Sequence, residues 1–250
     1  MSITLRMAWR NLWRHRRRTW ITVSAMVFSN LLLIFLISLQ FGSYGMMIDN
    51  TLKAYTGHLQ IQHPDYLDKP RIRNSIEDIR TLADTLRHSM TPASTSEQKP
   101  DQDTDDTGTM ATGIAARAAT FALVSSEQRS YGVQLIGVEP EYEPSVSTLP
   151  GLIENGRYFQ DIDAAEIIIG SALARNLRVD TGDEITLLGS GRDGSFAAGV
   201  AVVIGIFDSG VADLDRNIAQ LPLGYFQDLF FMQGQGHNIA ITVDQLGQVA

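Results

Sequence analysis

The chain has 250 residues, 28 acidic against 20 basic side chains for a formal charge of −8, and no cysteine. A disulfide framework and a thiol nucleophile are therefore excluded, and burial alone must stabilise the fold. Six of the basic residues precede residue 19, leaving 14 against 28 acidic residues, so nucleic acid is not an expected partner.

Arg6, Arg10, Arg14, Arg16, Arg17 and Arg18 stand before an uncharged apolar run from Thr19 to Phe41. As a helix this run reaches roughly 34 Å, enough to cross a hydrocarbon core about 30 Å thick with some tilt. A transmembrane helix is predicted over 19–41. The positive-inside rule places residues 1–18 in the cytoplasm and residues 42–250 outside. A cleavable signal peptide has a shorter core and a small-x-small cleavage site, whereas this run ends in Gln40-Phe41-Gly42-Ser43-Tyr44.

Within 1–18, Leu5, Ala8, Trp9, Leu12 and Trp13 recur at helical spacing while Arg6, Arg10 and Arg14 line another face. This pattern predicts a basic interfacial helix, with Trp9, Trp13 and Trp20 at headgroup depth. Asn30, near the middle of the span, predicts a helical neighbour, because an amide in hydrocarbon is costly without a hydrogen-bond partner. Residues 42–56 carry no proline and read as a helical stalk.

The period then changes. His58–His63 alternates polar and apolar as a half-buried strand, and Ile76, Ile79, Leu82, Ala83 and Leu86 predict a helix capped by Asn74-Ser75. Residues 89–112, rich in Thr, Ser, Asp and Gln, are expected to be a disordered loop. Strands follow at Ile114–Ser125 and Tyr131–Gly137, forming a hairpin over Glu127-Gln128-Arg129. Beyond Pro144 come a loop to Gly156-Arg157-Tyr158-Phe159, a strand Glu166–Ile169 and a helix Ser171–Leu177. Strands Glu184–Leu188 and Val200–Phe207, a short helix at Leu223 and Phe226–Phe230, and a strand Asn238–Val243 complete the series. Asp244 caps one further turn, from which we expect the natural protein to continue past Ala250.

No catalytic motif survives inspection. Gly189-Ser190-Gly191-Arg192-Asp193-Gly194 fits G-x-G-x-x-G, but a strand follows where a dinucleotide site needs a helix, so it reads as a hairpin turn. No P-loop and no G-x-S-x-G elbow occur. Asp101, Asp103, Asp105 and Asp106 lack the glycine and glutamate of a calcium loop. His58 and His63 fall on opposite strand faces, and His88 and His237 stand alone. Asp213 and Asp215 read as solvated acids in a loop. No cofactor, metal or enzymatic activity is expected.

The order of these features resembles the permease subunits of ABC transporters with a MacB-like periplasmic core domain, the lipoprotein-releasing and macrolide-exporting group. The resemblance rests on Ala8-Trp9-Arg10-Asn11-Leu12, Gly57-His58-Leu59-Gln60-Ile61 and Gly156-Arg157-Tyr158-Phe159. It continues through Glu166–Gly170 with Leu173-Ala174 and Leu177, then Gly182–Leu187 and Val202–Phe207. It implies an α+β fold: one N-terminal transmembrane helix, then a two-part periplasmic domain with a βα-rich part (57–145 and 237–250) and an inserted β-rich part (146–236).

It further implies a bacterial inner-membrane location and only the N-terminal part of a permease, the family having three more membrane helices. The implied partners are the lipid bilayer, an ABC ATPase on a separate chain, and a second permease copy or homologue. By analogy, Met46, Met47, Ile48 and Leu52 on the stalk lie near the path of a lipoprotein or other amphipathic substrate, where flexible methionines suit an apolar ligand. Macrolide or peptide efflux, and mechanotransmission without transport, fit the same features. A single-pass anchored binding or scaffold module is the alternative of a different class.

Overall fold

The computed structural model describes residues 16–51, 57, 59–67, 69–90 and 111–243, with the side chains of 41–51 outside that description. The chain separates into two units, residues 1–50 and 51–250, each described by itself.

The first unit holds helix α1 (Arg16–Thr51), 36 residues long. Its stretch Arg16–Gln40 has a mean hydropathy of 2.2 and is long and apolar enough to cross a membrane. The helix runs on past the predicted span into the predicted stalk, because nothing between Gly42 and Thr51 breaks it.

The second unit is a mixed α+β domain. Its elements are β1 (Leu59–Gln62), α2 (Ile79–Met90), β2 (Ala111–Ser125), β3 (Ser130–Val138), α3 (Glu143–Val146), a 3-10 turn (Leu149–Leu152), β4 (Ile153–Gly156) and β5 (Glu166–Gly170). Then follow α4 (Ser171–Leu177), β6 (Glu184–Ser190), β7 (Phe196–Phe207), α5 (Ala212–Asn217), β8 (Ile218–Pro222), α6 (Leu223–Leu229) and β9 (Asn238–Val243).

All nine described strands join one sheet in the order β1-β9-β2-β3-β8-β5-β7-β4, with β6 bridging β2 and β7. The bridge closes a ring. β2 pairs antiparallel with β3, β3 parallel with β8, β8 antiparallel with β5, β5 parallel with β7, β7 antiparallel with β6, and β6 antiparallel with β2. The two longest strands make this possible by changing neighbours along one edge. β2 pairs β9 through Ala111–Arg117 and β6 through Leu123–Ser125, while β7 pairs β6 through Phe196–Val202 and β4 through Gly205–Phe207.

Alternate residues fill the ring: Ala118, Ala122 and Val124 from β2, Val133 and Leu135 from β3, Ala219 and Leu221 from β8, Ile167 and Ile169 from β5, and Ala197, Ala201 and Val203 from β7, with Ile185 and Leu187 from β6. Eight strands give a barrel just wide enough for side chains. Six leave less room, and alanine on β2, β7 and β8 suits that bore. Leu173 and Leu177 of α4, Leu223 and Phe226 of α6, and Ile79 of α2 extend the same core. On the other face of the sheet, Ile136, Val138, Ile168, Phe207 and Ile218 pack beneath Leu149 and Phe159.

Several expectations are corrected. The helix begins at Ile79 rather than Ile76, because Ile76 pairs as a β-bridge with Gly236. Asn74 and Ser75 do not cap it: the Asn74 amide donates to the Asp65 and Lys69 carbonyls, and the Ser75 hydroxyl donates to Gln235 Oε1. Helix α3, the 3-10 turn and β4 occupy part of the expected loop before Gly156, and α5 replaces the expected acidic loop. Asp215 is buried there, accepting hydrogen bonds from the Ser209 amide (2.9 Å) and hydroxyl (2.6 Å), so it is not a solvated acid. The hairpin reading of 189–194 holds, with Gly194 at φ +87° in the turn between β6 and β7.

Candidate functional site

The apolar helix α1 is the first candidate element. Arg16, Arg17 and Arg18 open α1 and are exposed. Arg6, Trp9, Arg10, Trp13 and Arg14 lie outside the described residues, as do Leu52 and the side chains of Met46, Met47 and Ile48. Hydroxyls along the span satisfy themselves on the preceding turn, Thr22 on the Arg18 carbonyl (2.6 Å) and Ser24 on the Trp20 carbonyl. Asn30 does the same with one amide hydrogen, donating to the Met26 carbonyl at 3.0 Å. Val23, Met26, Val27, Asn30, Leu31 and Ile34 line a shallow groove on this side of the helix.

The second element is a buried ionic layer where α2, α3 and the β3–α3 turn cover the sheet. Arg117 on β2 is 1 % exposed and Glu143 at the start of α3 is 0 % exposed. They meet as a fork, Nε to Oε2 at 2.9 Å and Nη2 to Oε1 at 2.7 Å. Burial pushes the Glu143 carboxyl above its ordinary range, against the opposing pull of the Arg117 guanidinium. Arginine appears on this strand because its outward face is roofed rather than solvated.

Glu139 extends the layer. Its Oε2 accepts from the Ala116 amide (2.8 Å) and from Arg87 Nη2, and Arg80 Nε lies 3.7 Å from its Oε1. Arg87 also donates through Nε to the Ile114 carbonyl (3.0 Å) and stacks over the Tyr142 ring, 3.4 Å from its centroid. Tyr158 lies close enough for the Glu143 charge, after burial, to help push its phenol up. Its hydroxyl and the Gln220 Nε2 are buried with no hydrogen-bond partner among the described residues. Above this layer a cleft of about 490 Å³ opens between Arg80, Glu139, Glu141, Tyr142, Gln160 and Asp161.

The Gly156-Arg157-Tyr158-Phe159 motif meets the layer through Tyr158. Gly156 sits at φ +89°, where a Cβ would lie 2.0 Å from the Ile204 carbonyl oxygen. The Arg157 amide donates to that same carbonyl (2.9 Å), and its guanidinium pairs with Glu166. His237 is the remaining buried ionisable group near the sheet. The Ala119 amide donates to its Nδ1 (2.9 Å), so the proton sits on Nε2, which donates to the Ile72 carbonyl (3.2 Å). Burial lowers its pKa to about 4, and the Tyr66 ring stacks 4.8 Å away.

These groups are structural ties. Among the described residues no cluster of three His, Asp or Glu side chains is placed to hold a metal. Sequence reasoning missed Arg87, Arg117, Glu139 and Glu143, and noticed Tyr158 only as a member of the 156–159 motif. The available signal was the lone arginine in Ala115-Ala116-Arg117-Ala118-Ala119, a charge inside an apolar strand that demands a buried counter-charge.

Comparison with curated proteins finds no match. Among solved structures, the extracellular domain of the noncanonic ABC-type transporter YknZ from Gram-positive bacteria is similar at 17 % identity and a TM-score of 0.46, covering 76 % of this chain and 84 % of that one. The periplasmic region of MacB from Actinobacillus actinomycetemcomitans is similar at 13 % identity and a TM-score of 0.48, with coverages of 77 % and 78 %. The model of the MacB-like periplasmic core domain matches residues 19–249, taking in both the apolar helix and the folded domain. The chain thus belongs to the MacB-like periplasmic core domain family of ABC transporter permeases, with a membrane helix carrying an extracytoplasmic domain.

Proposed function

We propose that this chain acts as the permease subunit of a bacterial inner-membrane ABC transporter, coupling ATP hydrolysis on a separate subunit to movement of its periplasmic residues 42–250. The observation that carries this reading is the family match across 19–249, which treats the membrane helix and the ionically tied domain as one unit. Force entering along a continuous helix is useful only if the domain it moves does not deform, and the closed six-stranded ring supplies such a body. The substrate class we favour is a lipoprotein or another amphipathic molecule. Met46, Met47, Ile48 and Leu52 on the stalk are assigned to its path, and Asn30 to packing against a neighbouring membrane helix. Residues 57–145 with 237–250 form the parent part of the domain and 146–236 the insertion, the two sharing one sheet.

The test is affinity purification of the full-length protein from its native membrane. An ABC ATPase is expected to co-purify, and its hydrolysis rate is expected to change when lipoprotein is added. Purification without any ATPase would replace this reading with a tethered periplasmic module. Substituting both Met46 and Met47 with Asp is expected to reduce substrate release while leaving ATPase association intact; unchanged release would remove these residues from the path.

A further inference from the structure

We propose that the cleft above the buried ionic layer binds a linear polyamine, one ammonium reaching Glu139 at its inner end and a second lying between Glu141 and Asp161 at its rim. Such a site is independent of the permease reading and gives the domain a soluble extracytoplasmic ligand.

The cleft, about 490 Å³, is framed by three segments: Arg80 on α2, residues 139–142 after β3 and residues 160–162 before β5. That volume is within the range of small-ligand sites. Three carboxylates line it against one guanidinium. Glu139 is 3 % exposed, and its Oε2 is committed to the Ala116 amide (2.8 Å) and Arg87 Nη2. Its Oε1 accepts no hydrogen bond among the described residues and faces Arg80 Nε at 3.7 Å, beyond hydrogen-bond reach. A carboxylate oxygen at this depth is costly without a donor, and Arg80, 54 % exposed, does not supply one.

The placement of the acids selects the ligand. Among the described residues no three acidic or histidine side chains stand close enough to hold one metal ion, so a compact cation cannot meet all three carboxylates. Their charges instead lie at two depths, Glu139 buried and Glu141 and Asp161 exposed, with Pro140, Tyr142 and Ile162 supplying apolar wall. Ammonium groups joined by methylenes repeat that order of charge, apolar surface and charge. The rim acids are free to receive one: the Glu141 side chain makes no hydrogen bond or ion pair among the described residues, and Asp161 uses only Oδ1, on the Asp163 amide (3.1 Å). Residues 19–250 carry 28 acidic against 14 basic side chains, a field that draws polycations toward the domain.

Isothermal titration calorimetry of the 250-residue chain in dodecyl maltoside micelles, with spermidine as the probe at low salt, tests the site. Saturable one-site binding is expected, with Kd on the order of 100 µM. n-Butylamine, which carries a single ammonium, is expected to bind at least about tenfold more weakly. Glu141→Gln and Asp161→Asn are each expected to weaken spermidine binding about two- to fivefold, and Arg80→Ala, which removes the resident cation, to tighten it by a similar factor. Glu184→Gln, at an exposed position on β6, should leave the affinity unchanged. All four positions are exposed, so the variants are expected to fold as the parent chain does. No saturable heat, equal affinity for n-butylamine, weaker binding by Arg80→Ala, or a loss in Glu184→Gln as large as in the rim variants overturns the proposal. ATPase co-purification judges the permease reading independently, so the two can fail separately.

Discussion

His237 shows how one buried side chain sets a pH response. Its folded pKa of about 4 lies below the unfolded value near 6.5, so between these limits the unfolded chain binds more protons. Stability from this residue is present above pH 6.5 and is lost as pH falls toward 4, by about 3 kcal/mol in all. The raised carboxyl of Glu143 acts in the opposite direction, since its folded form holds the proton more tightly and loses stability as pH rises. The His237→Asn variant, whose amide oxygen can still accept from the Ala119 amide, separates the two. Urea unfolding at pH 7 and pH 4 should show the native chain losing about 3 kcal/mol more than the variant between these values. Equal losses would mean that His237 is not held neutral.

The buried fork of Arg117 and Glu143 carries a second residue-scale expectation. Arg117→Met leaves a desolvated carboxylate without its partner and should destabilise the domain by about 3–5 kcal/mol. Adding Glu143→Leu to that change removes the stranded charge. Denaturant midpoints should therefore recover most of the loss in the double variant, because ion pairs at this depth often gain little over an apolar pair. A double variant as unstable as the single would show that hydrogen bonds beyond the pair, such as that from Ser147 to Glu143, dominate.

At the scale of elements, the edge change of β7 depends on Gly156, the last residue of β4, paired with Gly205. With φ at +89° and the Ile204 carbonyl oxygen 2.0 Å from any Cβ, Gly156→Ala must displace β4 from β7. Thermal melts should report a loss of at least about 2 kcal/mol, large for so small a substitution. The strong elements were legible beforehand. Period-two alternation placed β1, and the expected strands at 114–125, 131–137, 166–169, 184–188, 200–207 and 238–243 fall within β2, β3, β5, β6, β7 and β9. β8 was not legible: Ile218-Ala219-Gln220-Leu221-Pro222 is buried on both faces between β3 and β5, so it shows no alternation and looks like part of a loop. Helix α5 hid for a different reason, since its six residues offer too few turns for a period.

At the scale of the whole molecule, topology is the property most open to test. In intact spheroplasts a membrane-impermeant maleimide should label Ser130→Cys, an exposed position at the start of β3, and should label Ser2→Cys only after permeabilisation. The reverse pattern would invert the orientation argued from the six N-terminal arginines.

The sequence by itself determined the membrane helix and the family, together with most of the strands. The helix and strands depend on composition and on periods of two or 3.6 residues, which are local quantities and survive without knowledge of the fold, and the family resemblance depends on short motifs in a fixed order along the chain. Only the tertiary structure decided that β6 closes a ring on β2, that Arg117 finds Glu143 twenty-six positions away, and that Asp215 and His237 are buried. Each is a pairing between distant residues, and its energy depends on what roofs a given face. That roof is assembled from segments far apart in the chain, so no window of sequence contains it.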